Sequence, residues 1–418
     1  MATGDEVIIR TSKNEEKGIL LDSHNPEIVL IKLSSGYNIG IPKQDIVEIK
    51  TLKKAQEAKE KTKVKSEVNS KLPNIAMIIT GGTISSKLDS KTGGVSWLTN
   101  PNEILDIAPE IKEICNIVKI EKPFMMASEN MTSKEWQEIA KVAEKLLNDS
   151  NIQGIIITHG TDFLHYTASA LSFFLQNLNK PVVLTYSQRS TDRGSSDAKL
   201  NLICSARAAV SEIAEVMLVG HANLNDNFCY AMLGTKVKKL HSSRRDAFKP
   251  INTLPLAKIF PDKIEVLHKY NPRNKEKVKL DNSFQDKVVL IKFYPGQSSE
   301  ILDYYQEKGI KGIVIEGSGL GHVHSGKDSW LPKIKKLIDS GIIVCMTTQT
   351  TFGRVDPYVY SPARQLLGAG VIYLEDMLSE TALVKLGWVL AHRGIKVKEL
   401  MLKNISKEFN PRLDKEFI

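Results

Sequence analysis

Two stretches of this chain end an apolar run in glycine and a hydroxyl. One is Met77-Ile78-Ile79-Thr80-Gly81-Gly82-Thr83-Ile84-Ser85, and the other is Ile155-Ile156-Ile157-Thr158-His159-Gly160-Thr161-Asp162. Apolar runs of this length before glycine read as buried parallel strands, and the glycines let the backbone turn tightly and approach a ligand. Thr83 and Thr161 then stand at strand carboxyl ends, where open α/β sheets bind their ligands. Each stretch alone is ambiguous. A Gly-Gly-Thr turn also suits a phosphate held on backbone N–H groups, and Thr161 with Asp162 also suits the cap of a following helix. Together they place two hydroxyls on one crevice, one of them beside a carboxylate able to bind an ammonium or take part in proton transfer.

Other residues invite chemistry less strongly. In Gly317-Ser318-Gly319-Leu320-Gly321-His322-Val323-His324 the histidines are expected on one face of a strand, a conceivable metal pair, but no Asp, Glu or Cys lies at ligand spacing. Its glycines are also a poor dinucleotide fingerprint, because no helix with a ribose-binding acid follows. Ser190 to Asp197 reads as a loop and helix start with capping residues.

The elements that would position these residues follow from periodicity. Strands are expected at Ile75 to Thr80, Ile155 to Thr158, Val182 to Tyr186 and Val216 to Val219. Helices are expected at Ser133 to Leu147, capped by Thr132 or Ser133, and at Phe163 to Leu175. After a turn-rich basic stretch the rhythm restarts with strands Val288 to Phe293, Ile313 to Ile315 and Ile342 to Met346. These alternate with helices Ser299 to Lys308, Lys327 to Ile338 and Ser379 to His392. Strand and helix alternating in this way means doubly wound, mainly parallel sheets. Residues 5 to 50 differ: short strand-like pieces with turns at Asn25-Pro26 and Ser35-Gly36 suggest a small β-barrel. The expected division is a barrel over 1–50, a Lys/Glu-rich linker over 51–72, a larger α/β domain over 73–275, an inter-domain linker over 276–287 and a smaller α/β domain over 288–418.

At 418 residues the chain has room for two or three domains, and 42% hydrophobic with 25% charged residues is ordinary for a globular protein. A net charge of +9 makes polyanions plausible partners, although a basic solvated surface accounts for it equally. Cys115, Cys204, Cys229 and Cys345 are scattered without paired spacing and read as buried thiols of a reducing compartment. No apolar run approaches membrane length, so the expectation is a cytoplasmic, unanchored protein.

Thr80-Gly81-Gly82-Thr83-Ile84, His159-Gly160-Thr161-Asp162 and Arg245-Asp246-Ala247-Phe248-Lys249 resemble the three signatures of the bacterial-type asparaginase family, over about residues 73 to 395. The resemblance implies an asparaginase-like fold of two doubly wound α/β domains, here preceded by the small barrel. It implies Thr83 as the acyl-accepting nucleophile, with Thr161, Asp162 and Lys249 as a relay. A base is needed because a threonine hydroxyl must lose its proton as it attacks, and a desolvated lysine suits that task. From residue types alone, Lys249 reads instead as an exposed or phosphate-contacting lysine beside Arg244 and Arg245. Met126-Ala127-Ser128-Glu129-Asn130-Met131 matches the segment that grips the α-carboxylate and α-ammonium of the substrate, which adds Ser128 and Glu129 to Gly82 and Gly160 as binding residues; helix capping ahead of Trp136 is the rival reading. Stand-alone asparaginases carry a tyrosine in the lid after the first threonine. The corresponding Ser85 to Leu98 has none, so the free chain is expected to be a sluggish amidase whose lid a partner orders.

The N-terminal barrel and charged linker are foreign to stand-alone asparaginases and resemble the D-subunit family of archaeal glutamyl-tRNA(Gln) amidotransferases. That resemblance implies a glutaminase or asparaginase that hydrolyses glutamine or asparagine and passes ammonia to an E subunit carrying Glu-tRNA(Gln), within a heterotetramer built on a homodimer. It implies no cofactor or metal here. ATP and Mg²⁺ are expected at the partner subunit, because this chain has no GxxxxGK[ST] loop. A self-sufficient L-asparaginase and a non-catalytic RNA-binding protein on the same fold are the competing readings.

Overall fold

The computed structural model describes residues 1–23, 25–54, 69–88, 95–97, 106–191, 193–327 and 329–412. Its N-terminal unit is a five-stranded antiparallel sheet: β1 (Glu6–Thr11), β2 (Glu15–Leu21), β3 (Ile28–Leu33), β4 (Asn38–Pro42) and β5 (Ile46–Lys53), in the order β4-β3-β2-β1-β5. The sheet is rolled, because Ile39 and Ile41 of one edge and Ile46 and Ile49 of the other pack into one cluster with Val7, Ile9 and Ile31. Residues 51 to 53, expected to open the linker, instead extend β5 and pair with β1. Most of the linker, residues 55–68, lies outside the described residues. Its end is fastened where Asn116 Nδ2 donates to the carbonyls of Asn69 and Leu72.

The central unit is an eight-stranded sheet. Its parallel part contains β6 (Asn74–Ile79), β7 (Asn116–Glu121), β8 (Ile155–Thr158), β9 (Val182–Thr185) and β10 (Val216–His221) in the order β7-β6-β8-β9-β10. Antiparallel strands β11 (Cys229–Leu233), β14 (Ala257–Ile259) and β15 (Ile264–Val266) extend the edge beyond β10. A separate two-stranded ribbon, β12 (Val237–Lys239) with β13 (Phe248–Pro250), lies between them in sequence. Periodicity signals neither β7 nor this antiparallel edge, whose strands are short and partly polar.

Strand alternation divides the core between the two faces. Ala76, Ile78, Ile155, Ile157, Val182 and Leu184 face helices α1 (Ser133–Leu147) and α2 (Leu164–Phe174). Ile75, Met77, Ile79, Ile156 and Val183 face α3 (Ala198–Ala209). Helix α1 keeps its expected bounds because Thr132 forms a full capping box with Glu135. Asp197 does not cap α3 with its side chain: its buried carboxylate accepts from Ser187 Oγ and from the Gln188 and Arg189 N–H groups, fixing the loop after β9.

The C-terminal unit is a four-stranded parallel sheet of β16 (Val288–Lys292), β17 (Gly312–Gly317), β18 (Ile343–Thr348) and β19 (Ile372–Tyr373), in sequential order. Four further helices follow its strands: α4 (Glu300–Glu307), α5 (Leu331–Asp339), α6 (Ser361–Gly368) and α7 (Ser379–Leu390). Helix α7 lies between this sheet and α2, so Val384, Leu386 and Val389 join the same apolar cluster as Leu171 and Phe173. The stretch 276–287 that joins the two α/β units is built into both. Lys279–Leu280 pairs with Leu175–Gln176, and the Phe284 ring lies 5.8 Å from Trp136 and against Gly387.

Candidate active site

Three loops meet where β6 and β8 end. Gly81 and Gly82 have φ of +119° and +83°, conformations that side chains rarely adopt. A Cβ on Gly81 would stand 2.5 Å from the Met126 carbonyl oxygen, one on Gly82 would stand 2.5 Å from the Gly160 nitrogen, and one on Gly160 would stand 2.9 Å from Ser128 Oγ. The glycines are therefore required by contact: any side chain would pry the loops apart. Thr83 and Thr161 are each the next residue after a member of the touching Gly82–Gly160 pair. Below them Thr80 Oγ1 donates to the Thr158 carbonyl at 2.8 Å, and the Ser85 and Thr158 hydroxyls lie 3.2 Å apart. This buried layer locks the two strand ends in register.

Thr83 opens a short 3-10 turn, Thr83–Ser85, and is half-buried. The antiparallel pairing of Ser86–Leu88 with Val95–Trp97 follows it; the centre of the expected lid, residues 89–94, and its last residue, Leu98, lie outside the described residues. Ser128 is buried in the 3-10 turn Ser128–Asn130 and its Oγ accepts from the Phe163 N–H at 3.3 Å, while Glu129 in the same turn is exposed. Ser128, Gly82 and Gly160 thus come together, with Glu129 at their rim. Capping of α1 is left to Thr132, so the Ser128 hydroxyl is not used for it.

The lysine of the expected relay is a different residue. Lys239, at the end of β12, donates from Nζ to Thr161 Oγ1 at 2.9 Å and to Asp162 Oδ1 at 2.7 Å, with its side chain only 10% exposed. Lys249 lies across the ribbon, opposite Lys238, and its ammonium donates to the Ala222 carbonyl at 2.7 Å and to Asp246 Oδ2 at 2.9 Å. The assignment of Lys249 to Thr161 and Asp162 is thereby corrected. The reason is register: Lys239 faces Phe248 in the ribbon and directs its ammonium to the crevice, whereas Lys249 completes the packing around the buried Asp246.

His159, inside the second motif, holds a structural position that residue type alone does not reveal. It is fully buried, and burial pushes its pKa down to about 4, so the ring is neutral. One ring nitrogen, Nδ1, lies 2.7 Å from the Gly160 carbonyl, which can only accept; Nδ1 therefore carries the proton, and Nε2 accepts from the Thr167 hydroxyl at 2.9 Å. The ring ties the turn at Gly160 to the start of α2. Its eight-residue spacing from Thr167 is the signal of this contact that the sequence carries.

His322 and His324 lie beyond the end of β17, not on a strand as expected. The His322 ring packs edge-on to Tyr360 with centroids 5.3 Å apart, and no cluster of His, Cys, Asp or Glu able to hold a metal occurs among the described residues. The four cysteines are buried and unpaired, and burial pushes the Cys115 and Cys345 thiols up to about 12. Among the described residues no helix is long and apolar enough to cross a membrane.

Two hydroxyls, a carboxylate and a buried ammonium at the strand ends of a doubly wound sheet define an asparaginase-type amidohydrolase site. Sequence comparison agrees with the geometry. Residues 74–272 match the family described as "Asparaginase, N-terminal", residues 287–401 match "Glutaminase/Asparaginase C-terminal domain", and residues 1–52 match "GatD N-terminal domain". Among solved structures, the thermostable L-asparaginase from Thermococcus kodakarensis superposes with a TM-score of 0.72 at 31% identity, covering 81% of this chain and 100% of that one. L-asparaginase I from Vibrio cholerae gives 0.70 at 29% identity, over 81% and 99%. Curated relatives match over nearly the whole length. The D subunit of glutamyl-tRNA(Gln) amidotransferase from Pyrococcus furiosus is 48% identical over 96% of this chain and 92% of the relative, and that from Methanococcus maripaludis strain C7 is 42% identical over 100% of both. The chain belongs to the family of glutamyl-tRNA(Gln) amidotransferase D subunits.

Proposed function

We propose that this chain is the amide-hydrolysing subunit of a tRNA-dependent amidotransferase. It releases ammonia from glutamine or asparagine for conversion of Glu-tRNA(Gln) to Gln-tRNA(Gln). The observation that carries the reading is the Lys239 ammonium bonded to both Thr161 Oγ1 and Asp162 Oδ1, one residue past the Gly82–Gly160 contact. In this reading Thr83 Oγ attacks the side-chain amide carbon, and its proton passes to the leaving nitrogen through the Thr161–Lys239–Asp162 group. Ammonia departs, leaving an ester on Thr83, and water attacks that ester to free the acid. Ser128, Glu129 and Asp162 are available to the substrate's own carboxylate and ammonium.

A second assignment has a specific observation behind it: the Thr161 hydroxyl accepts a hydrogen bond from Lys239 Nζ, so Thr161 is the alternative nucleophile. The partner is another component of the amidotransferase. In the finer proposal it is the E subunit, bound to a homodimer of this chain in a heterotetramer and supplying the ATP, Mg²⁺ and Glu-tRNA(Gln) sites. The test is ammonia release from glutamine and asparagine by the full chain, with and without that partner and Glu-tRNA(Gln). Thr83→Ala is expected to lower kcat by about three orders of magnitude or more. Intact-mass detection of an adduct with an electrophilic glutamine analogue on Thr161 instead of Thr83 would reverse the two threonines.

A further inference from the structure

The ribbon that carries Lys239 is not part of the large sheet. Two strands alone are marginally stable in water, so the position of this ribbon must come from what holds it. The central unit holds it through Phe248, whose ring lies 4.7 Å from that of Tyr186, and the C-terminal unit holds it through Lys238 and the two residues that lead into it. Thr235 Oγ1 donates to the Ser406 carbonyl at 2.8 Å, and the Thr235 carbonyl accepts from Thr381 Oγ1 at 2.9 Å. Lys236 Nζ donates to Asp376 Oδ2 at 2.7 Å and to the Asp376 carbonyl at 3.0 Å, with neither side chain exposed. Lys238 Nζ lies 2.8 Å from Glu380 Oε1 in the first turn of α7. The next residue, Lys239, projects the other way and reaches Thr161 and Asp162. Alternation along a strand makes this necessary: fastening Lys238 on one face aims Lys239 from the opposite face.

We infer that Asp376 and Glu380 of the C-terminal domain are positioning residues for the amide-hydrolysing site, acting through Lys236 and Lys238 to aim the Lys239 ammonium at Thr161 and Asp162. The inference rests on the function proposed above. Glu380 is built for the task. Its side chain is 11% exposed, and although burial alone would push its pKa up, the Lys238 ammonium beside it brings it below the ordinary value, so it stays ionised at neutral pH. The C-terminal unit thereby does more than cover apolar surface: it sets the geometry of a proton-transfer group housed in the other domain.

The informative variant is Glu380→Gln, because Lys238 is 28% exposed and can turn to water without leaving a buried charge, whereas Asp376→Asn strands the enclosed Lys236. In the full chain, E380Q is expected to lower kcat for ammonia release about tenfold to a hundredfold, the scale of a misplacement near 1 Å, with KM within about twofold. Lys238→Gln is expected to match it, the double variant to be no worse than either, and the reversed pair Lys238→Glu with Glu380→Lys to recover most of the rate. A crystal structure of E380Q is expected to show Lys239 Nζ out of hydrogen-bond reach of Thr161. Parental kcat in E380Q, or additive losses with no recovery in the reversed pair, would overturn the inference. A parent chain that releases no ammonia with its partner and Glu-tRNA(Gln) present would instead defeat the functional proposal.

Discussion

Single residues decide the chemistry through their hydrogen bonds. Lys239 and Lys249 sit ten positions apart on the two strands of one ribbon, yet only Lys239 reaches a hydroxyl of the motifs. Lys239→Met is therefore expected to lower kcat by about 10²- to 10⁴-fold, the worth of a positioned proton-transfer group, while Lys249→Met keeps kcat within about threefold. Steady-state ammonia assays on both variants check this. The buried histidines set a pH limit. Burial lowers both His159 and His165 from 6.5 to about 4, so the neutral ring is favoured in the folded state. The stabilisation is complete above the unfolded pKa of 6.5 and is lost as pH falls from there towards 4. Each ring is expected to cost about 2 kcal/mol of stability between pH 7 and 5. Denaturant titrations at the two pH values measure the sum, and the slope should shrink in a His165→Leu variant.

At the scale of elements, the crevice exists because two parallel strands end in register and their loops touch through glycine. The φ of +83° at Gly82 and the 2.5 Å approach to the Gly160 nitrogen leave no room for a methyl group. Gly82→Ala should shift Thr83 relative to Thr161 and reduce kcat by about a hundredfold, a loss of alignment that kcat should report before any failure to bind substrate. By contrast, helix α1 is secured by the Thr132–Glu135 capping box, and α3 by a loop that Asp197 organises. These elements support the strand ends from behind and are not expected to touch substrate.

At the scale of the whole molecule, polar contacts also join the two α/β units, as where Ser406 Oγ donates to the Ser172 carbonyl at 2.6 Å, and they fasten the end of the C-terminal unit onto itself. Lys385 Nζ, fully buried in α7, donates to Glu408 Oε1 at 2.6 Å and to the Met401 and Lys403 carbonyls, and Glu408 also accepts from the Ile405 and Ser406 N–H groups. Breaking such an enclosed pair costs more than the pair contributes, because one charge is left without a partner. Glu408→Gln is expected to cost about 3 kcal/mol and to lower Tm, as calorimetry would show. The N-terminal sheet is attached more lightly: the Gly36 backbone packs on Arg193, whose guanidinium lies 5.8 Å over the Tyr37 ring.

The sequence by itself determined the strands that carry Thr83 and Thr161, because short isoleucine-rich apolar runs that end in glycine turns favour a buried parallel strand. It determined helix α1 to the residue, because capping chemistry is local. It also marked Thr83, Thr161, Asp162, Ser128, Gly82 and Gly160 as one constellation. Tertiary structure alone decided which lysine joins them. Lys236, Lys238, Lys239 and Lys249 are equivalent in composition, and strand propensity is blind to face. Their tertiary partners break that equivalence: Asp376 and Glu380 of the C-terminal unit occupy Lys236 and Lys238, Asp246 occupies Lys249, and Lys239 is left aimed at the crevice.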